Sequence, residues 1–241
     1  MIRKIIYGII LICLSSTAYS QEDIPFPYLD KIEIKEFNNR ELHLNRSQAD
    51  IFNSKRVELE KNHKFYAEEC EGEYETLIAI CNIDKSYKRY AISYGACPNP
   101  EFVIYDSENP EKIIGSINAD KMFINGSGAI YCSGGEGTFD ARKKYKIINE
   151  KLVETKQPFY HIGLKTTTLR PIKLYETVNL KNEVASLPID YPVEILLSTK
   201  AFNDTKGLYL VKTKFGLIGW AELIAGQYTD VDIKDLKYIG D

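Results

Sequence analysis

The sequence predicts an all-β protein built mainly from antiparallel strands. Short runs of β-branched and aromatic residues recur from Ile32 onward, for example at residues 75–81 and 89–94, and such runs are typical of strands. Glycine, proline and asparagine cluster between the runs, as at residues 95–100, where they favour tight turns. Helical periodicity is weak along the whole chain, which further favours the all-β class.

Taken in order, the predicted elements of the first half are one candidate helix and a series of strands. Pro25 and Pro27 indicate an extended start. The candidate helix covers residues 47–53, with Ser47 as its cap. The clearest predicted strands are residues 75–81, 89–94, 102–105, 113–117, 129–132, 144–148 and 159–162.

Composition and charge exclude several classes of protein. The chain has 241 residues, of which 44% are hydrophobic and 27% charged, so it is expected to fold rather than remain disordered. Its formal net charge is −3. Because a nucleic-acid backbone is bound by clustered positive charge, we expect no nucleic-acid partner.

The amino terminus predicts export. Arg3 and Lys4 precede an apolar run at residues 5–14, and Ala18 and Ser20 then supply the small side chains of a cleavage site before Gln21, which together are typical of a signal peptide over residues 1–20. The apolar run is too short to cross a bilayer core of about 30 Å. We therefore expect a periplasmic or extracellular protein without an integral membrane segment in the mature chain. An uncleaved anchor and a lipid anchor at Cys13 are the alternatives.

Four cysteines remain after removal of the signal peptide: Cys70, Cys81, Cys97 and Cys132. An even number of cysteines in an exported chain predicts up to two disulfides, and the spacing leaves their pairing open. A metal site is the rival interpretation. The cysteines form no Cys-x-x-Cys pair and have no histidine at ligand spacing, so no metal is expected.

A threonine-rich stretch at residues 164–171, closed by Pro171, marks the predicted boundary between two domains. The first domain, over residues 21–168, contains all four cysteines and is predicted to be a disulfide-bearing antiparallel β-domain. The second domain covers residues 169–241.

The second domain carries a specific order of motifs. They are a strand at residues 172–175, a polar loop, Glu183-Val-Ala-Ser-Leu-Pro188, Tyr191-Pro-Val-Glu-Ile-Leu-Leu197, Leu208-Tyr-Leu-Val-Lys-Thr213, and the turn Lys214-Phe-Gly216 into Leu217-Ile-Gly-Trp-Ala-Glu-Leu223. This order resembles the bacterial SH3-like domain, so the resemblance implies a small barrel over residues 172–223. Residues 175–179 and Leu208 depart from the family's usual motifs, and a ligand therefore does not carry over.

The residues of this segment also predict a compact strand domain without the resemblance. Val193, Ile195 and Leu197 alternate inward, as small closed sheets require. In the next strand the inward pair is either Leu208 and Leu210 or Tyr209 and Val211. Gly216 and Gly219 are expected to permit a tight turn and a close backbone approach.

Aromatic side chains supply the candidate binding residues. Tyr175, Tyr191, Tyr209 and Trp220 lie near the predicted loops of the second domain, and aromatic rings build binding surfaces at low entropic cost. Trp220, the only tryptophan, either plugs the barrel or contributes to this ligand face.

Residues 75–105 bear a fainter likeness to periplasmic lysozyme inhibitors. The likeness rests on an apolar strand ending in Cys81, the strand Tyr90-Ala-Ile-Ser-Tyr-Gly95, and the aliphatic strand at residues 102–105. It implies an inhibitory loop, at residues 95–100 or 133–137.

No residues are assigned to catalysis. His43, His63 and His161 form no metal-binding pair, and His161 is expected to be a solvated strand residue. The glycine clusters lack the Gly-Lys-Ser/Thr of a phosphate loop. The acidic run at residues 230–235 lacks the glycine and glutamate of a calcium loop and is expected to be a solvated edge or tail. No cofactor is expected.

These observations predict an exported, non-catalytic binding protein. Its SH3-like module is expected to bind a peptide, a cell-wall glycopeptide or an envelope protein. An inhibitor of lysozyme and a hydrolase of unfamiliar type are the alternatives.

Overall fold

The computed structural model describes residues 25–34, 40–58, 74–83, 87–95, 101–109, 111–134, 142–200 and 206–238. This part of the chain is almost entirely β-structure, which confirms the predicted all-β class. The strands of the first half are β1 (Asp30–Glu33), β2 (Glu41–Leu44), β3 (Ala49–Glu58), β4 (Tyr74–Cys81), β5 (Tyr90–Gly95), β6 (Glu101–Asp106), β7 (Ile113–Ile117), β8 (Lys121–Ile124), β9 (Ile130–Ser133), β10 (Lys143–Ile148) and β11 (Lys151–Glu154). The strands of the second half are β12 (Tyr160–Thr167), β13 (Ile172–Tyr175), β14 (Glu183–Leu187), β15 (Pro192–Ser198), β16 (Lys206–Thr213), β17 (Ile218–Ile224), β18 (Gly226–Gln227) and β19 (Lys237–Tyr238).

Two sheets in the first half share one hydrophobic core. The mixed sheet has the order β1-β2-β8-β9-β10-β11, and the meander sheet has the order β3-β4-β5-β6-β7. All neighbours are antiparallel except β2 and β8, which run parallel. Fully buried side chains of both sheets meet in this core, among them Ile32, Leu42, Ile78, Ile92, Tyr94, Phe102, Ile104, Met122 and Ile130. Burial of these side chains is the main stabilising contribution to the first half.

The mixed and meander sheets come into close contact where β7 meets β11. A Cβ atom placed on Gly115 of β7 lies 2.5 Å from the Cβ atom of Leu152 in β11. Glycine therefore permits a backbone approach that any other residue obstructs.

The predicted helix at residues 47–53 is wrong. Only Arg46–Gln48 are helical, as a single 3-10 turn, and the Asn45 side chain accepts a hydrogen bond from the Ser47 N–H at 3.0 Å. The chain enters β3 at Ala49, which is paired with Cys81 of β4. The ladder between β3 and β4 satisfies the backbone groups along this strand, and this long-range pairing overrides the local helical pattern.

The C-terminal sheet has the order β12-β15-β16-β17-β13-β14. Strands β15, β16 and β17 form an antiparallel meander, and β13 joins β17 to β14. Its core contains Leu174, Ile195, Tyr209, Val211, Ala221 and Leu223. The sheet includes β12, which precedes residue 169, the predicted start of the second domain. The domain boundary itself stays a prediction.

The alternation of buried and half-buried residues along β15 and β16 shows which side chains face the core of the C-terminal sheet. Val193 and Ile195 are buried as predicted, but a register shift follows Ile195, so Leu197 is only half-buried. In β16 the inward residues are Tyr209 and Val211. Leu208 and Leu210 are half-buried on the opposite face.

The C-terminal segment is tied to this sheet by a buried carboxylate, whereas the sequence predicted a solvated edge or tail at residues 230–235. Asp232 is fully buried. Its Oδ2 atom accepts hydrogen bonds from Arg170 Nη2 at 2.6 Å and from the Ile224 N–H at 2.7 Å. Because a buried carboxylate is costly without partners, these bonds fix the segment in place.

The structure leaves the predicted export signal and part of the cysteine set untested. Residues 1–20, Cys70 and Cys97 lie outside the described residues. Cys81 and Cys132 are buried free thiols in the core of the first half, so neither forms a predicted disulfide in this structure. Among the residues that the structure describes, no helix has the length and apolar character needed to cross a membrane.

Candidate functional site

The four aromatic residues predicted as a ligand face do not lie on one surface. Tyr209 is 2% exposed and belongs to the core of the C-terminal sheet. Its burial raises the pKa of the phenol to about 12, since the charged form is poorly solvated there. Tyr191 is half-buried and packs against the same core, just before β15. Neither residue contributes to an exposed face beside Trp220.

Tyr175 and Trp220, by contrast, are brought together on the outer face of the C-terminal sheet. They are register partners between β13 and β17. Within β17, Gly219 and Ala221 are buried, so the intervening Trp220 points to the opposite, solvent side and is half-buried there. Such directly opposed side chains lie within contact range of each other.

Gly219 explains how β17 and β13 approach closely enough for this pairing. A Cβ atom on Gly219 lies 2.9 Å from the Leu174 Cβ atom and 3.0 Å from the Tyr175 carbonyl oxygen. The turn before β17 uses Gly216, whose φ of 102° is unfavourable for other residues. Both glycine expectations from the sequence are thereby confirmed.

Three further apolar side chains extend the surface. Leu210 of β16 is the register partner of Trp220, and Ile218, two residues before Trp220 on β17, is 49% exposed. The Phe159 ring lies 5.6 Å from the Trp220 ring, at an interplanar angle of 40°, and is 43% exposed. We call this surface, formed by Phe159, Tyr175, Leu210, Ile218 and Trp220, the Trp220 face.

Ion pairs flank the Trp220 face. Lys212 lies 3.3 Å from Glu194, Lys173 lies 2.7 Å from Glu183, and Lys206 contacts Glu222. Each of these pairs joins one positive and one negative group. Exposed pairs of this kind add little stability, and because each is neutral overall, these three pairs add no net charge beside the Trp220 face.

Sequence reasoning found Tyr175 and Trp220 but did not include Phe159, Leu210 or Ile218. The available signal was the apolar run Leu208-Tyr-Leu-Val211, in which both faces of the strand are apolar. A strand with two apolar faces indicates that its outer face is also covered or binds a partner.

The histidines do not converge on the Trp220 face as a group. His161 is exposed on β12, which confirms its predicted solvated position. His43 is 3% exposed in β2, where its Nε2 atom lies 2.9 Å from Glu41 Oε2 and its ring stacks on Phe123. Its Nδ1 atom has no hydrogen-bond partner within the described ranges. His63 lies outside them.

The two described thiols are poorly suited to nucleophilic chemistry. Burial raises the pKa of Cys81 to about 12 and also raises the pKa of Cys132. A cysteine reacts as its thiolate, which a raised pKa disfavours. Within the part of the chain that the structure describes, no three His, Cys, Asp or Glu side chains group closely enough to hold a metal ion.

The loops predicted to inhibit a lysozyme are not placed by the structure. Residues 96–100 and 135–137 lie outside the described residues, so the inhibitor hypothesis stays a prediction.

Comparisons of the chain with protein-family models, with curated proteins and with solved structures found no match.

Proposed function

We propose that this chain is an exported, non-catalytic binding protein that holds a peptide segment of a partner on the Trp220 face. The single observation that carries the proposal is the cross-strand pair of Tyr175 and Trp220, set beside Phe159 on a solvent-facing sheet surface. Exposed apolar groups that cluster in this way are characteristic of interaction surfaces.

The chemistry of the Trp220 face favours an uncharged, apolar peptide. Three of its members, Leu210, Trp220 and Tyr175, are register neighbours on three adjacent strands, so they form a row across the sheet. An extended peptide presents side chains to one side at every second residue and can match such a row. Each flanking ion pair joins one positive and one negative group, so these three pairs add little net charge that could attract a strongly acidic or basic partner.

The aromatic side chains of the Trp220 face favour peptide binding even when the contact area between the two partners is small. Tyrosine and tryptophan bring large contact area with few rotatable bonds, and such residues dominate binding energies in protein interfaces. The predicted signal peptide over residues 1–20 supports an extracytoplasmic partner, and the SH3-like resemblance of residues 172–223 supports a small binding module without specifying its ligand. Both remain parts of the proposal.

Intrinsic fluorescence can test the proposal directly because Trp220 is the only tryptophan. The mature chain is first applied to an array of blocked, uncharged twelve-residue peptides rich in leucine, valine and phenylalanine. The strongest binder is then titrated while Trp220 emission is recorded. We expect saturable binding with a shift of the emission to shorter wavelength, as the peptide excludes water from the indole.

Substitutions distinguish specific peptide binding at the Trp220 face from nonspecific adsorption of the peptide to the protein. Ile218→Lys keeps the reporter, alters a half-exposed position that tolerates change, and should weaken peptide binding by about tenfold or more. Phe215→Lys, at an 84% exposed position in the preceding turn, is the matched control and should bind normally. Equal binding by both variants, or no peptide bound by the parent protein, contradicts the proposal.

A further inference from the structure

A small cleft opens at one end of the first half of the molecule. It has a volume of about 160 Å³. Its polar wall consists of Tyr28, Asn45, Gln48, Asn82 and Asn125, and its other lining residues are Leu29, Leu44, Cys81, Ile124 and Gly126. None of the described residues that line it is charged, and four of them are carboxamides.

The sheet topology explains why the carboxamides converge. Strands β2 and β8 are parallel, and their last residues, Leu44 and Ile124, are register partners. The residues that follow, Asn45 and Asn125, therefore leave the sheet side by side. Asn82 follows the last residue of β4, whose Cys81 also lines the cleft.

Local hydrogen bonds orient two of these amides. Asn45 Oδ1 accepts from the Ser47 N–H at 3.0 Å and from the Ser47 hydroxyl at 2.7 Å. Asn125 Oδ1 accepts from the Ser127 N–H at 3.1 Å. The carbonyl ends are thus engaged, and neither NH₂ group has a partner within the described residues. Each amide retains two N–H donors in a fixed orientation.

Tyr28 adds an aromatic surface to the cleft. Its ring is 67% exposed and packs edge-on against Phe26, with the ring centroids 6.2 Å apart at an interplanar angle of 75°. Phe26 in turn contacts Phe123 and Tyr131. Tyr28 is therefore connected through Phe26 to an aromatic cluster and is itself largely exposed to solvent.

We propose that this cleft binds a neutral saccharide, with one pyranose ring against Tyr28 and its hydroxyls accepting hydrogen bonds from Asn45 and Asn125. Sugars combine an apolar ring face with a rim of hydroxyl groups, and the cleft offers the matching aromatic surface and oriented donors. A wholly apolar ligand leaves the amides without partners at a cost. A phosphate or carboxylate ligand finds no cation among the lining residues that the structure describes.

The saccharide site is independent of the Trp220 face, since it lies between the ends of β2, β4 and β8 and shares no residue with that surface. The two proposals therefore stand or fall separately. A protein with both sites can hold a glycan and a peptide segment at once.

The test measures binding of defined sugars to the full mature chain. Glucose, mannose, galactose, N-acetylglucosamine and its trimer are compared by saturation-transfer NMR, and the best binder is then titrated by calorimetry. Sorbitol, which lacks the ring, serves as the negative probe. We expect saturable binding of at least one cyclic sugar and none of sorbitol.

Isosteric variants then assign the site. Asn45→Asp and Asn125→Asp retain the oxygen that accepts from Ser47 or Ser127 but remove the NH₂ donor. Each should weaken sugar binding by about tenfold without changing the melting temperature. Tyr28→Ala should do the same by removing the ring. Asn179→Asp, at an exposed position of the C-terminal half, introduces the same charge elsewhere and should bind normally.

Three results would overturn the saccharide proposal. The first is that none of the sugars binds the parent protein. The second is unchanged binding in Asn45→Asp, Asn125→Asp and Tyr28→Ala. The third is a loss of sugar binding in Ile218→Lys alone, because that result moves the sugar to the Trp220 face.

Discussion

Adjacent residues of strand β16 place their side chains on opposite faces of the C-terminal sheet. Tyr209 is 2% exposed in the core of the C-terminal sheet, whereas its neighbour Leu210 is half-buried beside Trp220 on the outer face. The residues 208–211 are all apolar, so their hydrophobicity alone does not distinguish the two faces. The register with β17 does, because Ala221 and Leu223 are buried on the same side as Tyr209.

Burial of Tyr209 should make the free energy of unfolding fall as the pH rises through the alkaline range. Its phenol has a pKa of about 12 in the folded protein against an ordinary value of 10.0. Below pH 10 the phenol is neutral in both states. As pH rises from about 10 towards 12, the unfolded chain loses this proton while the folded chain keeps it, so folding becomes less favourable. Tyr209→Phe removes that contribution.

We therefore expect the free energy of unfolding to fall less between pH 8 and pH 11 in the Tyr209→Phe variant than in the parent protein. Urea unfolding followed by Trp220 fluorescence at both pH values measures the difference. Tyr228→Phe, at a 54% exposed position, is the control and should behave as the parent does. If Tyr209→Phe and the parent lose stability in parallel, the phenol of Tyr209 is not buried as described.

At the level of strands, close approaches between neighbours depend on glycine. Gly219 allows β17 to approach β13, and Gly115 allows β7 to approach β11. In the second case the nearest atom is the Leu152 Cβ atom, which cannot move away by a change of rotamer. The two strands must separate to accommodate any larger residue.

Gly115→Ala should destabilise the protein by about 1–3 kcal/mol, the usual cost of forcing extra atoms into a packed contact. Chemical denaturation of the parent and the variant measures this loss. Ser116→Ala, at the neighbouring half-buried position of β7, is the control and should change stability much less. A loss for Gly115→Ala no greater than that of the control contradicts the close contact with Leu152.

The sequence predicted the strands that have strong local signals. The predicted run at residues 113–117 coincides with β7, and the run at residues 75–81 differs from β4 by one residue. It did not predict β1, β2 or β8, which are four residues each. Such short strands are held by pairing with neighbours rather than by local propensity, and β2 pairs with β8 across a long stretch of chain.

The candidate sites were less predictable than the strands for the same reason. Tyr175 and Trp220 could be selected as aromatic residues in a recognisable segment. Phe159 could not be grouped with them, because only the folded sheet brings its ring to Trp220. The cleft near Asn45 and Asn125 depends on the parallel pairing of β2 with β8, for which the sequence carries no local signal.

At the scale of the whole molecule, two separate hydrophobic cores hold the described structure. Both described thiols belong to the first core, where Cys81 and Cys132 are each at most 4% exposed. Their reactivity therefore reports on opening of this core, while Tyr209 and Trp220 report on the second half.

Thiol labelling should follow unfolding of the first core. At pH 8, we expect N-ethylmaleimide to modify Cys81 and Cys132 at least about 100-fold more slowly in native buffer than in guanidinium chloride, because burial blocks access and raises both thiol pKa values. Peptide mass spectrometry identifies the modified sites. Rapid labelling of either cysteine in native buffer, or a disulfide that includes either one, contradicts the structure.

The parallel contact of β2 with β8 also constrains the order in which the first half can assemble. Glu41 of β2 pairs with Lys121 of β8, whereas β4, β5 and β6 each pair with the next strand along the chain. Closing a long loop costs more entropy than closing a short one. The meander sheet can therefore form early from local contacts, whereas the β1–β2 hairpin can join the mixed sheet only when β8 is available to pair with β2. The Asn45–Asn125 cleft is consequently complete only after β8 has paired with β2, so the saccharide binding proposed above requires that long-range contact.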